Sequence, residues 1–227
     1  NGSMSLSLFI SILVLACAAS ASTGGTSVSG YNSIQEAIDS NPGKILTVES
    51  GDVTIEQPIR IHTDGAGLSG CGRIVQKNAA APIVQIEGAC GVRIAGVTLT
   101  RSQGCEETAE PAVRVDKCRQ LELDSIRIVD NRSTGGTISL DQCESSAIRD
   151  CSIVNYQRIG VDDRTENELY GYAFKVIDGT GISVRRSRDV RIEGNSIVET
   201  RIFPTKQVKE ENKLGEFTEG KKPLKKM

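Results

Sequence analysis

Four stretches of this chain align with one another without a gap. Take Ile86, Val115, Leu140 and Val184 as anchors. Two residues before them stand Val84, Val113, Ile138 and Ile182. Six after stand Val92, Leu121, Ser146 and Val190, and eight after stand Ile94, Leu123, Ile148 and Ile192. Eleven after stand Val97, Ile126, Cys151 and Asn195, and thirteen after stand Leu99, Ile128, Ile153 and Ile197. Each unit is therefore three short pairs of period 2, the signature of a strand with one buried face. Helical spacing is absent. Such a unit cannot close its own core, but a stack of units can. The pattern predicts a single-stranded parallel β-helix of about five coils, a rod of about 24 Å at roughly 4.8 Å per coil. A fainter copy is expected to begin at Val53, with Ile59 and Ile61 in place. A leucine-rich repeat is the rival solenoid, but it carries one strand per unit and is dominated by Leu, whereas Ile and Val dominate here.

Composition agrees with a narrow aliphatic core. Of 227 residues, 38% are hydrophobic but only 4% aromatic, with no Trp. The net charge of −2 gives no reason to expect a nucleic-acid partner. Outward positions carry opposite charges in shared columns: Arg93 with Glu122, and Asp124 with Arg149 and Glu193. These read as register marks rather than a site.

Ahead of the repeat, Ser33 is placed to cap a helix with Glu36 three residues on. Ile34, Ala37 and Ile38 form its apolar stripe, and Pro42-Gly43 ends it. This helix should cover one open end of the rod. Earlier still, the apolar run Leu6 to Ala21 ends in small residues and reads as a signal peptide over 1–21, with a linker at 22–30. It is too short to span a bilayer comfortably. An alternative is a lipoprotein signal with lipidation at Cys17. Either predicts a secreted or periplasmic location. The domain itself is expected over 31–203 and a charged tail or excursion over 204–227.

Export permits disulfides among the six remaining cysteines. Cys118 and Cys143 both sit three past their anchors on adjacent coils, so they should form either a bridge or two stacked thiols. Cys151 fills an apolar column and should be buried. With no Cys-x-x-Cys pair and a single histidine, His62, a zinc site of the usual spacing is not expected. Gly65, Gly67, Gly70 and Gly72 read as tight coil turns, since no Gly-Lys-Ser/Thr follows.

The order SIQEAIDSNPGK, VTIEQPIRIHTDGAGLSGCG and VRIEGNSIV resembles the pectin-lyase-like superfamily of right-handed β-helices over roughly residues 31–200. That family holds polysaccharide lyases, hydrolases, epimerases and non-catalytic adhesins, so fold alone does not choose among them. The resemblance implies an acidic polysaccharide as partner. The glycine-flanked histidine and Arg-x-Lys motif of the polygalacturonase type are absent. So is the Trp-containing motif of the classical pectate lyases. Neither activity carries over, and two readings stay open: a carbohydrate-acting lyase or hydrolase, and a non-catalytic adhesin or structural β-helix. No far-end cap of the family's kind is readable, so one reading makes the chain the front part of a longer β-helix.

One place breaks the period. Successive anchors are 29, 25 and then 44 residues apart, so about 20 residues leave the coil within 156–179. That segment holds three of the four tyrosines. Long loops on a rigid scaffold carry function disproportionately often. Tyr156, Arg158, Arg164, Tyr170 and Tyr172 are the candidate substrate-binding residues. Tyrosine rings stack on sugar faces, and arginine pairs with a sugar carboxylate. Asp162, Asp163 and Lys175 are the candidate catalytic residues, as acid, base or proton abstractor. The adjacent aspartates also suit Ca²⁺.

Overall fold

The computed structural model describes residues 25–157 and 179–200 in full, and the backbone of 159–167 and 171–178. The expected signal peptide with Cys17, and the tail at 204–227, lie outside the described residues.

The chain coils into a parallel β-helix with three faces. The first face stacks Ile45–Val48, Gly67–Gly70, Arg93–Ala95, Glu122–Asp124, Ala147–Arg149 and Arg191–Glu193. The second stacks Asp52–Ile55, Arg73–Gln76, Thr98–Arg101, Arg127–Val129, Ser152–Val154 and Ser196–Val198. The third stacks Ile59–Ile61, Val84–Glu87, Val113–Asp116, Gly136–Asp141 and Thr180–Arg185. Along the third face the solenoid makes about four turns, against the five expected, with partial coils beyond it on the other two faces. The architecture is an all-β parallel solenoid with one short helix near its start.

Four of the six columns of the repeat are lines of register partners. Val84, Val113, Ile138 and Ile182 pair in succession. Ile94, Leu123, Ile148 and Ile192 do so on the first face, and Leu99, Ile128, Ile153 and Ile197 on the second. Leu123, Ile94, Leu99 and Ile128 have no exposed surface. The early coil corrects the reading of the sequence. Ile59 and Ile61 pair with Val84 and Ile86, and Val53 pairs with Ile74 on the second face. A copy anchored at Val53 is thus one face out of phase. Gly67 and Gly70 are also not turn residues but the two ends of a strand. A Cβ at Gly67 would lie 1.9 Å from the Arg93 carbonyl oxygen, so only glycine fits there.

Two of the three corners are turned by single residues in the left-handed region. Gly88, Lys117, Gln142 and Arg186 (φ 67°, 54°, 54°, 49°) share one column. Gly91, Gln120, Ser145 and Asp189 share the next, and Gly96, Ser125, Asp150 and Gly194 a third. A non-glycine residue there costs roughly 1–2 kcal/mol. A hydrogen bond to the next coil offsets it: Lys117 N donates to Asp141 O at 2.9 Å, and Gln142 N to Arg185 O at 3.1 Å.

Helix α1 (Ile34–Ser40) packs on the early end. Ser33 Oγ accepts from Glu36 N at 3.0 Å, and Glu36 Oε2 accepts from Asn32 N at 2.9 Å. Ile34, Ala37 and Ile38 are buried as expected. The Gln35 amide grips the edge strand Ile59–Ile61, accepting from Arg60 N at 2.7 Å and donating to Arg60 O at 3.2 Å. A side chain thereby completes the ladder that a further strand would otherwise seek. Among the described residues no helix is long and apolar enough to cross a membrane.

Candidate functional site

The third corner, from the second face to the third, is where loops leave. They occupy 56–58, 77–83, 102–112, 130–135 and 155–179 on successive coils. The last holds an antiparallel hairpin of Ile159–Asn167 and Gly171–Asp178. The extra residues of the period break therefore form a two-stranded ribbon in the chain between the second and third faces, not an irregular loop. Glu107–Thr108 and Arg132–Ser133 pair as a short parallel step between the two loops before it.

Buried polar side chains anchor these loops. Arg101 is only 3% exposed. It donates Nε to Asn131 Oδ1 at 2.5 Å, Nη1 to Asn78 O at 2.9 Å and Nη2 to Ala81 O at 3.0 Å. Burial pushes its pKa down to about 10, with Glu110 and Cys105 opposing the shift, and it stays charged at neutral pH. Arg132 does the same work at the hairpin's root. Its Nη1 donates to Gln157 O at 3.0 Å and pairs with Glu199 at 3.3 Å, while Glu199 Oε2 accepts from Gln157 N at 3.0 Å. Gly179 closes the hairpin at φ 118°, and a Cβ there would lie 2.9 Å from both Ser133 O and Tyr156 O.

The hairpin register sets Asp163 opposite Lys175, Arg164 opposite Phe174 and Glu166 opposite Tyr172. Asp162 lies in the irregularity between Gly160 and Asp163. Tyr156 sits at the root, packed partly against the core, its hydroxyl accepting from Gln157 Nε2 at 3.1 Å. Arg158 and Tyr170 lie outside the described residues. Among the described residues no three His, Cys, Asp or Glu side chains gather as a metal site.

The third face presents an outward row that the sequence reading passed over. Glu87, Asp116, Asp141 and Arg185 are successive register partners, one coil apart. In the parallel row beside them stand Gln85, Arg114, Ser139 and Ser183. Charge is balanced locally. Arg114 pairs with Glu110 at 2.5 Å. Arg186 binds Asp141 through Nε at 2.8 Å and through Nη2 in a shorter contact. The Arg186 hydrogen bond, with the nearby charges of Arg186 and Arg185, holds the Asp141 carboxyl below its usual range. The signal for this row was the period itself: outward positions flanking the anchors are polar in every copy.

A groove of about 720 Å³ crosses the first face. It is lined by Ser145, Ser146 and Ala147 on one coil and by Gln120, Glu122, Arg149, Asp189 and Arg191 around them. Ser146 is buried and satisfied: its Oγ donates to Glu144 O at 3.1 Å and accepts from Leu121 N at 3.4 Å.

Cys118 and Cys143 stand as free, buried thiols on adjacent coils, the second of the two expected arrangements. Burial pushes the Cys118 thiol up to about 11. Cys151 is likewise buried and free. His62 lines a separate cleft of about 580 Å³ between α1 and residues 54–60.

No protein family and no curated protein matches the chain. Among solved structures it is similar to a provisionally assigned glycosyl hydrolase from Parabacteroides merdae, at 16% identity and a TM-score of 0.48. The match covers 78% of this chain and 92% of that one.

Proposed function

We propose that this chain is an exported carbohydrate-directed β-helix that binds an acidic polysaccharide along the third face, with the hairpin as one wall. The observation that carries this reading is the segregation of loops. Two corners are tight, while the loops of successive coils emerge at the third and culminate in the ribbon. A rigid polar row with projecting loops along one edge suits a polymer lying parallel to the rod, because coil spacing repeats at about 4.8 Å. Tyr156, Tyr170 and Tyr172 would supply stacking surfaces, with Arg158 and Arg164 pairing sugar carboxylates.

Binding rather than cleavage is favoured on the third face by Asp141. Its low pKa and tight pairing with Arg186 unsuit it to donate a proton to a leaving oxygen. The second reading places cleavage on the hairpin, where the register sets Asp163 opposite Lys175. The test is direct. Wild type and a Tyr170→Ala/Tyr172→Ala variant are titrated with oligogalacturonides and with neutral xylo-oligosaccharides. Loss of acidic-glycan binding at unchanged melting temperature supports the reading, and no binding by wild type overturns it. New reducing ends or unsaturated products that vanish in Asp163→Asn would establish the second.

A further inference from the structure

The groove on the first face is lined by residues of three coils, none of them in the hairpin. Its lining departs from the two flanking coils at three consecutive positions. Where those have Gln120 and Asp189, this one has Ser145, and an earlier coil has Gly91. Where others place Val92, Leu121 or Val190 in the inner column, it has Ser146. Where others extend Arg93, Glu122 or Arg191 outward, it has Ala147. A stack built for stability alone would favour an aliphatic residue in the inner column. Here three short side chains lie between full-sized ones and leave about 720 Å³ open.

The charges around it are unevenly satisfied. Glu122 is held by Arg93 at 3.7 Å, and that arginine also reaches Asp124 at 3.2 Å. Glu144 is held by Arg188 at 2.6 Å, and Asp189 lies close enough to Arg188 to raise its pKa. Arg149 and Arg191 line the groove, and among the described residues neither has an ion pair. Glu193 is Arg149's register partner, yet no bridge forms between them. Arg149 and Arg191 therefore stand on adjacent coils of one open surface, diagonal to each other, with their donors uncommitted. A planar guanidinium fork matches a carboxylate or sulfate in a two-pronged hydrogen bond, and Ser145 and Gln120 offer further partners to sugar hydroxyls.

We infer that this groove is a second, independent site for an oxyanion-bearing saccharide, so that one molecule holds two chain segments on different faces. The bivalence rests on the proposed reading of the hairpin face; the groove itself does not. Two linked sites raise avidity for a polymer and join separate chains.

The test uses the full chain, with short probes of three kinds: an oligogalacturonide bearing carboxylates, a heparin-derived oligosaccharide bearing sulfates, and a neutral cello-oligosaccharide. Calorimetry should give two equivalents of one anionic probe and none of the neutral one. Which anionic probe binds identifies the oxyanion. Arg149→Gln/Arg191→Gln should reduce this to one equivalent, with the lost site weakened at least about tenfold and thermal unfolding unchanged. A variant with the hairpin shortened should also retain one. Long-chain turbidity should disappear in both. If wild type binds one equivalent and only the arginine variant loses it, the groove stands and the hairpin reading fails. Binding unaffected by the arginine change, or equal binding of the neutral probe, overturns the groove site. Ala147→Gln, which fills the groove, serves as a second variant should the arginine pair fail to fold.

Discussion

Leu123 shows what a single position in this fold must do. It has no exposed surface and is covered by Ile94 and Ile148 on the coils either side. Leu123→Asp should abolish folding, because an unpaired carboxylate in a core this narrow has no partner and no water. Soluble expression with an unchanged far-UV circular dichroism spectrum would refute the register. Asp141 gives a pH-dependent counterpart. Its pKa is lowered on folding, so its contribution is present above the usual carboxylate pKa and fades as pH falls through the folded value. Melting temperature against pH should fall more steeply on acidification in wild type than in Asp141→Asn. Parallel curves would mean the Arg186 pair contributes nothing. Gly179 tests the hairpin's root. Its φ of 118° and the 2.9 Å approach of two carbonyl oxygens predict that Gly179→Ala costs about 1–3 kcal/mol, read from urea unfolding. An unchanged midpoint would sink that account.

At the scale of the element, the coils are held by inward columns and turned by left-handed residues. The columns were legible, because burial on one face of a strand leaves a period of two in the sequence. The phase of the first coil was not, because Val53, Ile59 and Ile61 imitate the spacing of an anchor with its sixth and eighth followers while pairing on the second and third faces. The corners left a fainter trace. Their left-handed positions hold Gly, Ser, Asp and Asn, but also Lys117, Gln120, Gln142 and Arg186, which no turn preference would select. Hydrogen bonding to the next coil decides the first three of those cases. The buried thiols make an element-level prediction. Cys118, Cys143 and Cys151 should resist an exposed-thiol reagent in the folded protein and react on denaturation, since burial raises all three thiol pKa values. Rapid native-state labelling of all three would mean the solenoid opens along these coils.

At the scale of the whole molecule, the chain is a rod whose charged surface pairs are mostly exposed. The Arg93 bridges to Glu122 and Asp124, and the Arg73–Asp52 bridge, each contribute only about 0–1 kcal/mol. Stability should therefore change little with added salt, while binding of an anionic chain should weaken steeply as salt screens the arginines. Affinity for oligogalacturonide that is insensitive to salt would argue against charge recognition at either face.

The sequence by itself determined the solenoid, its columns, the capping helix and the position of the extra residues. All of these follow from local periodicity, from a helix-capping pattern within a few residues, or from counting. Tertiary structure alone decided that the extra residues form a ribbon, that Arg101 and Arg132 lie buried beneath the loops, and that Ser145, Ser146 and Ala147 open a groove between the Glu122 and Arg191 coils. The buried arginines and the groove depend on which side chains from different coils meet, and Arg132 reaches Gln157 and Glu199 across 25 and 67 residues of chain, too far for a local pattern to show.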